Sequence, residues 1–121
     1  MVDGMKIDQI VLREIRLPMI NYFETSFGRT QNRHVLLVEI VCQDKTGWGE
    51  CVAGEGPFYS SETVHTAWST LTRFILPNTV NRYFEHPSDF PSWFAKIRGH
   101  RMAKACVEAA LWDLQAQQMN L

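Results

Sequence analysis

The apolar residues change their spacing midway along the chain. The N-terminal half carries Ile-, Val- and Leu-rich runs typical of β-strands, and the C-terminal half carries apolar residues at helical spacing. Met5 to Leu17 predicts a first strand, which Pro18 ends. The consecutive Ile10, Val11 and Leu12 interrupt its alternation, which a bulge or partial burial of both faces would explain.

Two further strands are predicted as a hairpin. His34 to Cys42 is apolar on both faces, which favours a central strand, and Trp48 to Ala53 predicts the third strand. Asp44 to Gly47 predicts the turn between them, with the aspartate bonded to the turning backbone and the glycine at positive φ.

Met19 to Asn32 shows neither a helical nor a strand period and is longer than most hairpin connections, so we expect a loop. Long loops in compact domains are usually functional or disordered. The aromatic residues Tyr22, Phe23 and Phe27 favour a functional loop.

The first predicted helix begins at a cap formed by Ser60 or Ser61 and is stopped by Pro77. Its apolar stripe has the 3.6-residue period of a helix that packs on a core. The stripe consists of Val64, Ala67, Trp68, Leu71, Phe74 and Ile75.

Two more helices follow. Ser88 or Asp89 caps a short one that Gly99 ends, and the longest runs from Arg101 to about Met119. The longest helix is apolar nearly all round, so it lies either at the centre of a compact domain or also against a second domain. Its narrow polar face comprises Lys104, Glu108 and Gln115. Strands followed by helices in separate blocks predict an α+β fold, with residues 1–121 as one domain.

A glycine-rich loop joins the third strand to the first helix. Within the segment from Trp48 to Thr63, Phe58 and Tyr59 stand on a backbone mobile enough to close over a ligand. The segment has no nucleophile–base pair and no cluster of metal ligands. It therefore predicts a wall or lid, and we expect what it closes over to lie outside these 121 residues.

Composition narrows the functional classes. With 45% hydrophobic and 21% charged residues, the chain is expected to be globular. A net charge of −1 and a pI near 6.4 give no basis for binding nucleic acid or an anionic membrane. No segment has the form of a membrane span or a signal peptide. The odd number of cysteines, without CxxC spacing, favours free thiols in a reducing cytosol, so we expect a cytoplasmic protein.

Three motifs stand in order along the chain. They are FETSFG from Phe23 to Gly28, GWGEC from Gly47 to Cys51, and RGHRMAKA from Arg98 to Ala105, which leads to ALWD from Ala110 to Asp113. Together they resemble the N-terminal capping domain of the enolase superfamily. Within that superfamily they are most similar to o-succinylbenzoate synthases of the N-acylamino acid racemase type. The resemblance covers essentially the whole chain.

This resemblance implies a three-stranded antiparallel meander followed by three helices, and then a TIM-like barrel that is missing from this chain. In the family the barrel supplies acid–base lysines and the carboxylates that hold Mg²⁺, which stabilises an enediolate. The resemblance thus implies no catalytic residue, no metal ligand and no cofactor in this chain, with Mg²⁺ belonging to the full-length enzyme. A truncated gene, a gene fragment or an excised domain would each give this sequence.

Two cap loops in the family close over the barrel mouth and contact the substrate. By motif matching, the substrate-lining positions fall on Phe23, Phe27, Gly54 and Tyr59. The implied partners are the missing barrel and a small-molecule carboxylate substrate, without nucleic acid or membrane, and a homo-oligomer is left open.

Each of these residues could have a purely structural role instead of contacting the substrate. Phe23 and Phe27 would grip an apolar substrate group or plug the core of the cap, and the resemblance favours the first. Tyr59 and Phe58 present the same choice, with Phe58 better suited to packing. Gly54 could serve the backbone conformation alone.

Other polar residues are expected to be structural. Glu50 suits an ion pair better than a general base, and Asp113 is expected to pair with Arg98 or Arg101. Cys51 suits a small apolar filler better than a nucleophile.

The histidines have neither metal-ligand spacing nor a paired nucleophile, so each is expected on the surface or in a loop. They are His34, His65, His86 and His100. Arg29 and Arg33 stand near aromatic residues, but the slightly acidic chain argues against stacking on nucleic acid.

We therefore expect the capping and substrate-specificity domain of an o-succinylbenzoate synthase-like enzyme. The complete enzyme would be a lyase that dehydrates a cyclohexadiene carboxylate on the way to menaquinone, and could act as an isomerase that racemises N-acylamino acids. Two alternatives stay open: the cap of a dipeptide epimerase or muconate cycloisomerase, and a free-standing α+β interaction module.

Overall fold

A three-stranded antiparallel sheet forms the N-terminal half of the domain. The computed structural model describes residues 4–25 and 28–121, and among these the side chains of residues 4–16, 18 and 34–121. Strands β2 (Gln9–Thr25), β3 (Gly28–Cys42) and β4 (Lys45–Cys51) follow each other as a meander, with β3 in the centre. The predicted α+β class and central strand are confirmed.

The predicted first strand is divided in two. Strand β1 (Met5–Lys6) pairs with β5 (Tyr83–Phe84), and the chain crosses to β2 at Ile7, whose side chain is fully buried. The pairing of β2 with β3 runs without a shift from Gln9 to Pro18, so the consecutive apolar residues there mark partial burial of both faces and no bulge.

The segment from Met19 to Asn32, predicted as a loop, is largely a β-hairpin arm. Phe23 pairs with Thr30 and Thr25 pairs with Gly28, after a register shift between Pro18 and Phe23. Backbone pairing needs no apolar face on the arm, which is why the apolar pattern did not reveal it.

The turn between β3 and β4 also differs from the prediction. It lies at Gln43 and Asp44, and Gln43 takes the positive φ of 56°. Gly47 lies within β4, where a Cβ would stand 2.3 Å from the carbonyl oxygen of Ala110. The glycine is therefore required by close packing against a helix and not by a turn.

The first helical segment begins later than predicted. Helix α1 (Val64–Thr70) is capped by Thr63, whose hydroxyl accepts the N–H of Thr66 at 3.1 Å. The chain continues through a π turn (Leu71–Ile75) and a 3₁₀ turn (Leu76–Asn78). Of the predicted stripe, Trp68 and Phe74 are exposed and the other members are buried.

A 3₁₀ turn (Pro87–Asp89) leads into the short helix α2 (Phe90–Trp93). Asp89 precedes α2 but makes no side-chain cap, and α2 ends well before Gly99, which has a φ of 65°. Neither residue therefore plays its predicted part in this helix.

Helix α3 (Arg101–Gln118) lies along β4 and has the predicted extent. One side is buried against the sheet and α1, and the opposite side leaves Ala105, Ala109 and Trp112 exposed. Gln115, predicted on the polar face, is buried instead. The core of the domain takes residues from both layers, and its larger members include Ile7, Leu36, Val38, Ile40, Val64, Leu71, Ile75, Phe84, Phe90, Val107, Leu111 and Leu114.

Candidate functional site

The base of the glycine-rich loop is closed by hydrogen bonds. The N–H of Val64 donates to the carbonyl oxygen of Gly54 at 2.8 Å, and Gly54 and Thr63 form a parallel bridge. The hydroxyl of Ser60, one of the two predicted caps of α1, accepts the N–H of Glu62 at 3.1 Å. The two ends of the loop are thus held together before α1 begins.

Glu62 anchors the loop to the N-terminus of α3. Its buried carboxylate accepts the N–H of Met102 at 2.8 and 3.0 Å and that of Ala103 at 3.1 Å. His100, the residue at the helix boundary, makes no side-chain cap, so Glu62 supplies the acceptor from 40 residues away. Negative charge at a helix N-terminus is favourable because the first N–H groups and the helix dipole point toward it.

The tip of this loop is the most exposed aromatic part of the described chain. The side chains of Phe58 and Tyr59 are 74% and 86% exposed. The ring of Phe58 lies over Gly56, where a Cβ would meet ring carbon Cε2 at 2.6 Å. A Cβ on Gly54 would make only an ordinary contact, 3.8 Å from the carbonyl oxygen of Gly56, and Gly54 has no positive φ, so the alternative that its backbone conformation demands glycine is not supported.

His34 joins the loop to the sheet. The imidazole Nε2 pairs with Glu14 of β2, and Nδ1 lies 3.3 Å from a carboxylate oxygen of Glu55 in the loop. The side chain of His34 is only 10% exposed and lies in β3, so the expectation of a surface or loop position is wrong for this histidine. The exposed Glu55 gives the tip a polar contact with the base of the hairpin arm.

The hairpin arm and the glycine-rich loop lie at the same end of the domain. Strand β4 ends at Cys51, which pairs with Leu36, and β3 pairs with β2 alone from Val35 back to Gly28. The loop leaves β4 at this point. The backbone of Phe23 lies in the arm, its side chain and all of Phe27 lie outside the described residues, and the substrate-lining role of Phe23, Phe27, Gly54 and Tyr59 stays a prediction.

The remaining acidic candidates are Asp113 and Glu50. The carboxylate of Asp113 accepts the N–H of Trp48 at 2.9 Å, so the expected pairing with an arginine is wrong. This contact ties α3 to β4. Glu50 is exposed on the sheet face that points away from the helices, and its expected ion pair stays a prediction.

The other histidines occupy three different settings. His65 is exposed on α1, and His86 is exposed with its ring edge-on to Trp112 at 5.0 Å between centroids. The Nδ1 atom of His100 lies 3.2 Å from the hydroxyl of Thr70. The side chains of Arg29 and Arg33 lie outside the described residues.

The described part of the chain offers no site that fits Mg²⁺. It contains no group of three or more His, Cys, Asp or Glu side chains that could hold a metal ion. The acidic residues near the loop are already engaged: Glu14 and Glu55 with His34, and Glu62 with backbone N–H groups. Within the same residues, no helix combines the length and the apolar character that crossing a membrane requires.

Several large apolar side chains face outward. A groove of about 370 Å³ runs beside α3, between Phe94 of the α2 region and Ala105, Ala109 and Trp112. The most exposed apolar residues outside the loop tip are Trp48, Val52, Phe74, Tyr83 and Trp112, together with Met119 and Leu121 near the C-terminus. The exterior is therefore not fully polar.

Known proteins share this sequence and this fold. The o-succinylbenzoate synthase of Geobacillus kaustophilus is 41% identical over 119 residues, which are 98% of this chain and 32% of that protein. The N-succinylamino acid racemase of an Amycolatopsis species is 36% identical over 92% of the chain and 30% of its own length. A crystal structure of an unknown member of the enolase superfamily from Enterococcus faecalis superposes with a TM-score of 0.86 at 33% identity, covering 97% of this chain and 32% of that one.

The chain thus spans about a third of the length of the curated relatives that it matches. Residues 7–121 match the family described as the N-terminal domain of mandelate racemase / muconate lactonizing enzyme. The resemblance to the enolase superfamily is confirmed, and the chain belongs to this family of N-terminal domains.

Proposed function

We propose that this chain is the capping and substrate-specificity domain of an o-succinylbenzoate synthase-like enzyme. In this proposal the glycine-rich loop and the hairpin arm form one wall of a cavity whose floor is the barrel of the complete protein. The observation that carries the proposal is their juxtaposition: both leave the sheet at one end, and the contact between His34 and Glu55 joins them.

The loop has the properties that a lid requires. Its base is held by the Gly54–Val64 hydrogen bond and by Glu62, and its tip presents Phe58 and Tyr59 to the outside. Aromatic rings closed over a substrate exclude water and contact its variable part. The 41% identity to an o-succinylbenzoate synthase supports this substrate class over others.

Chemistry at the substrate is assigned to the barrel. The described residues contain no group of three or more His, Cys, Asp or Glu side chains that could hold a metal ion. We therefore assign the Mg²⁺ and the acid–base groups of the full-length enzyme to the barrel, where the small carboxylate substrate would react. The residues of this chain bind, orient and shield. We place the complete enzyme in the cytoplasm and leave its self-association to measurement.

A hybrid enzyme tests the proposal. This chain would replace the N-terminal third of the Geobacillus kaustophilus relative, and turnover would be measured with a cyclohexadiene carboxylate, N-succinylamino acids, a dipeptide and a muconate. We expect preference for the first two substrates. Preference for the dipeptide or the muconate would favour the cap of an epimerase or a cycloisomerase instead.

The substitution Tyr59→Ala in the hybrid tests the contribution of the loop to substrate binding. We expect KM to rise about tenfold or more because an aromatic contact to the substrate is lost. Tyr83→Ala is the matched control, since Tyr83 is also exposed, at 58%, but lies on β5 away from the loop. Equal effects of the two substitutions in a folded hybrid would reject the lid role. A folded hybrid without either substitution that turns over no substrate would favour the free-standing module.

A further inference from the structure

We propose that Cys51 and Cys106 are a redox-sensitive pair, which a hydroperoxide converts to a disulfide at the base of the glycine-rich loop. All three cysteines are free and buried in this structure. The pair joins the end of β4 to the N-terminal half of α3. The inference does not depend on the proposed function of the loop.

The backbones of β4 and α3 approach each other unusually closely. A Cβ on Gly47 would lie 2.3 Å from the carbonyl oxygen of Ala110, and one on Gly49 would lie 1.8 Å from that of Cys106. Two residues along a strand and four along a helix both advance the chain by about 6 to 7 Å. The next residue on this face of β4, Cys51, therefore comes level with the helix turn before Cys106.

The side chain of Cys106 points into that same turn. Helical side chains lean toward the N-terminus, and the Sγ of Cys106 lies 3.1 Å from the carbonyl oxygen of Ala103. The side chain of Cys51 meets α3 at this turn, and an interaction between the two thiols shifts their pKa values in opposite directions. Both residues are almost fully buried, at 2% and 1% exposure, so the two thiols share the core beside this helix turn.

The contact makes the two thiols chemically unequal. Interaction with the Cys106 thiol lowers the pKa of the Cys51 thiol below its ordinary value despite its burial. The same contact and burial raise the pKa of Cys106. Cys51 is therefore the thiolate that attacks, and Cys106 is the thiol that resolves.

The reaction balances with a hydroperoxide as the only co-reactant. The Cys51 thiolate attacks one peroxide oxygen, the O–O bond breaks, and sulfenic acid and hydroxide (or alkoxide) form. The Cys106 sulfur then displaces the hydroxyl group from Cys51, and its proton leaves with that group as water. Two electrons pass from the thiols to the peroxide, and an added dithiol reverses the change. Both thiols are buried, so the peroxide reaches them when the end of β4 and the base of the loop open transiently.

The disulfide would act mainly on the base of the glycine-rich loop. The cross-link would join residues 51 and 106, which enclose the whole loop, beside the point where Glu62 binds Met102 and Ala103. A disulfide that closes a long segment stabilises the folded state. Oxidation is thus expected to fix the base of the loop while leaving its tip exposed.

Peroxide treatment of the native, reduced chain tests the inference. We expect a loss of two hydrogen atoms by mass spectrometry, a peptide that contains Cys51 joined to Cys106, and a rise in Tm of about 5 °C or more that a dithiol reverses. Cys42→Ala is the matched control and should respond as the unaltered chain does. Cys51→Ala and Cys106→Ala should each abolish the change in mass.

Peptide mapping of the unaltered chain decides the matter even if a variant does not fold. The inference is overturned if Cys51 and Cys106 both remain alkylatable after peroxide, or if the disulfide contains Cys42. A fall in Tm on oxidation would equally contradict it, since a disulfide that closes this long segment is expected to stabilise the folded state.

Discussion

At the scale of single residues, two glycines of β4 decide how closely the sheet and α3 approach. Gly47 and Gly49 lie on the helix-facing side of the strand, where any Cβ would overlap the backbone of α3. Backbone atoms cannot rotate away as a side chain can, so the helix itself would have to move. The motif GWGEC is thus a packing motif.

Gly49→Ala should therefore be strongly destabilising. We expect the free energy of unfolding to fall by about 3 kcal/mol or more, measured by urea denaturation. The matched control is Gly54→Ala, because the nearest atom to a Cβ there is 3.8 Å away. That variant should change the free energy by less than about 0.5 kcal/mol. Equal effects of the two substitutions would contradict the close helix–strand contact.

Cys42 gives the stability a pH dependence in the alkaline range. Burial, and then the charge of Asp8, raise the pKa of its thiol from 9.0 to about 11. Between these values the unfolded chain has lost the proton that the folded chain keeps, so stability falls as the pH rises. The expected slope is about 1.4 kcal/mol per pH unit from this group.

Cys42→Ala should remove this slope. Comparing urea denaturation of both proteins from pH 8 to 11, a window that spans the values of 9.0 and about 11, separates Cys42 from other groups that titrate there. Their difference in unfolding free energy should be constant below pH 9 and shrink above it. A constant difference throughout would show that the thiol is not shielded.

At the scale of elements, α3 depends on a residue that is remote in sequence. The N–H groups of Met102 and Ala103 have Glu62 as their acceptor, and the helix boundary residue His100 has a φ of 52° and no capping bond. Helices usually find this acceptor in the side chain of the residue directly before their first turn. Here the loop supplies it, so loop and helix form together.

Glu62→Ala should destabilise the domain and loosen the loop. We expect a loss of about 2 kcal/mol in unfolding free energy, because two N–H groups lose their acceptor in a buried place. Glu62→Gln keeps one acceptor oxygen and should cost about half as much. Hydrogen exchange should quicken at Met102 and Ala103 in the alanine variant, and unchanged exchange there would contradict the capping role.

The same elements show what the sequence could reveal. The extent of α3 and the central strand followed from apolar spacing, because burial imposes that spacing. The arm around Phe23 and Thr30 did not, since strands that pair beyond the sheet edge need no buried face. The helix caps were not predicted correctly. Before α1, nearby serines suit the cap as well as Thr63 does, and at α3 the acceptor is Glu62, whose distance along the chain no local pattern encodes.

At the scale of the whole molecule, a layer of helices covers one face of the three-stranded sheet, and several large apolar side chains face outward. Trp48 and Val52 lie on the sheet face that points away from the helices, and Trp112 lies on the outer side of α3. Large exposed apolar patches usually mark surfaces that contact another domain or protein. The sequence motifs predicted the family. Only the folded structure showed that the loop and the arm lie at the same end of the domain.

The chain alone should neither bind Mg²⁺ at a catalytic position nor turn over substrate. The described residues contain no cluster of metal ligands and no nucleophile–base pair in the loop. Titration calorimetry with Mg²⁺ should give no specific heat, and the purified chain should be inactive on a cyclohexadiene carboxylate. Clear turnover would refute its assignment as a cap.

In the glycine-rich loop, the residues that stabilise the fold are different from the residues that are exposed at the tip. Gly54, Thr63 and Glu62 serve folding, whereas the five residues from Glu55 to Tyr59 contribute little buried surface. Substitutions at the tip can therefore accumulate without threatening the fold. In the lid proposed above, this arrangement would let ligand preference change over generations while the fold stays constant.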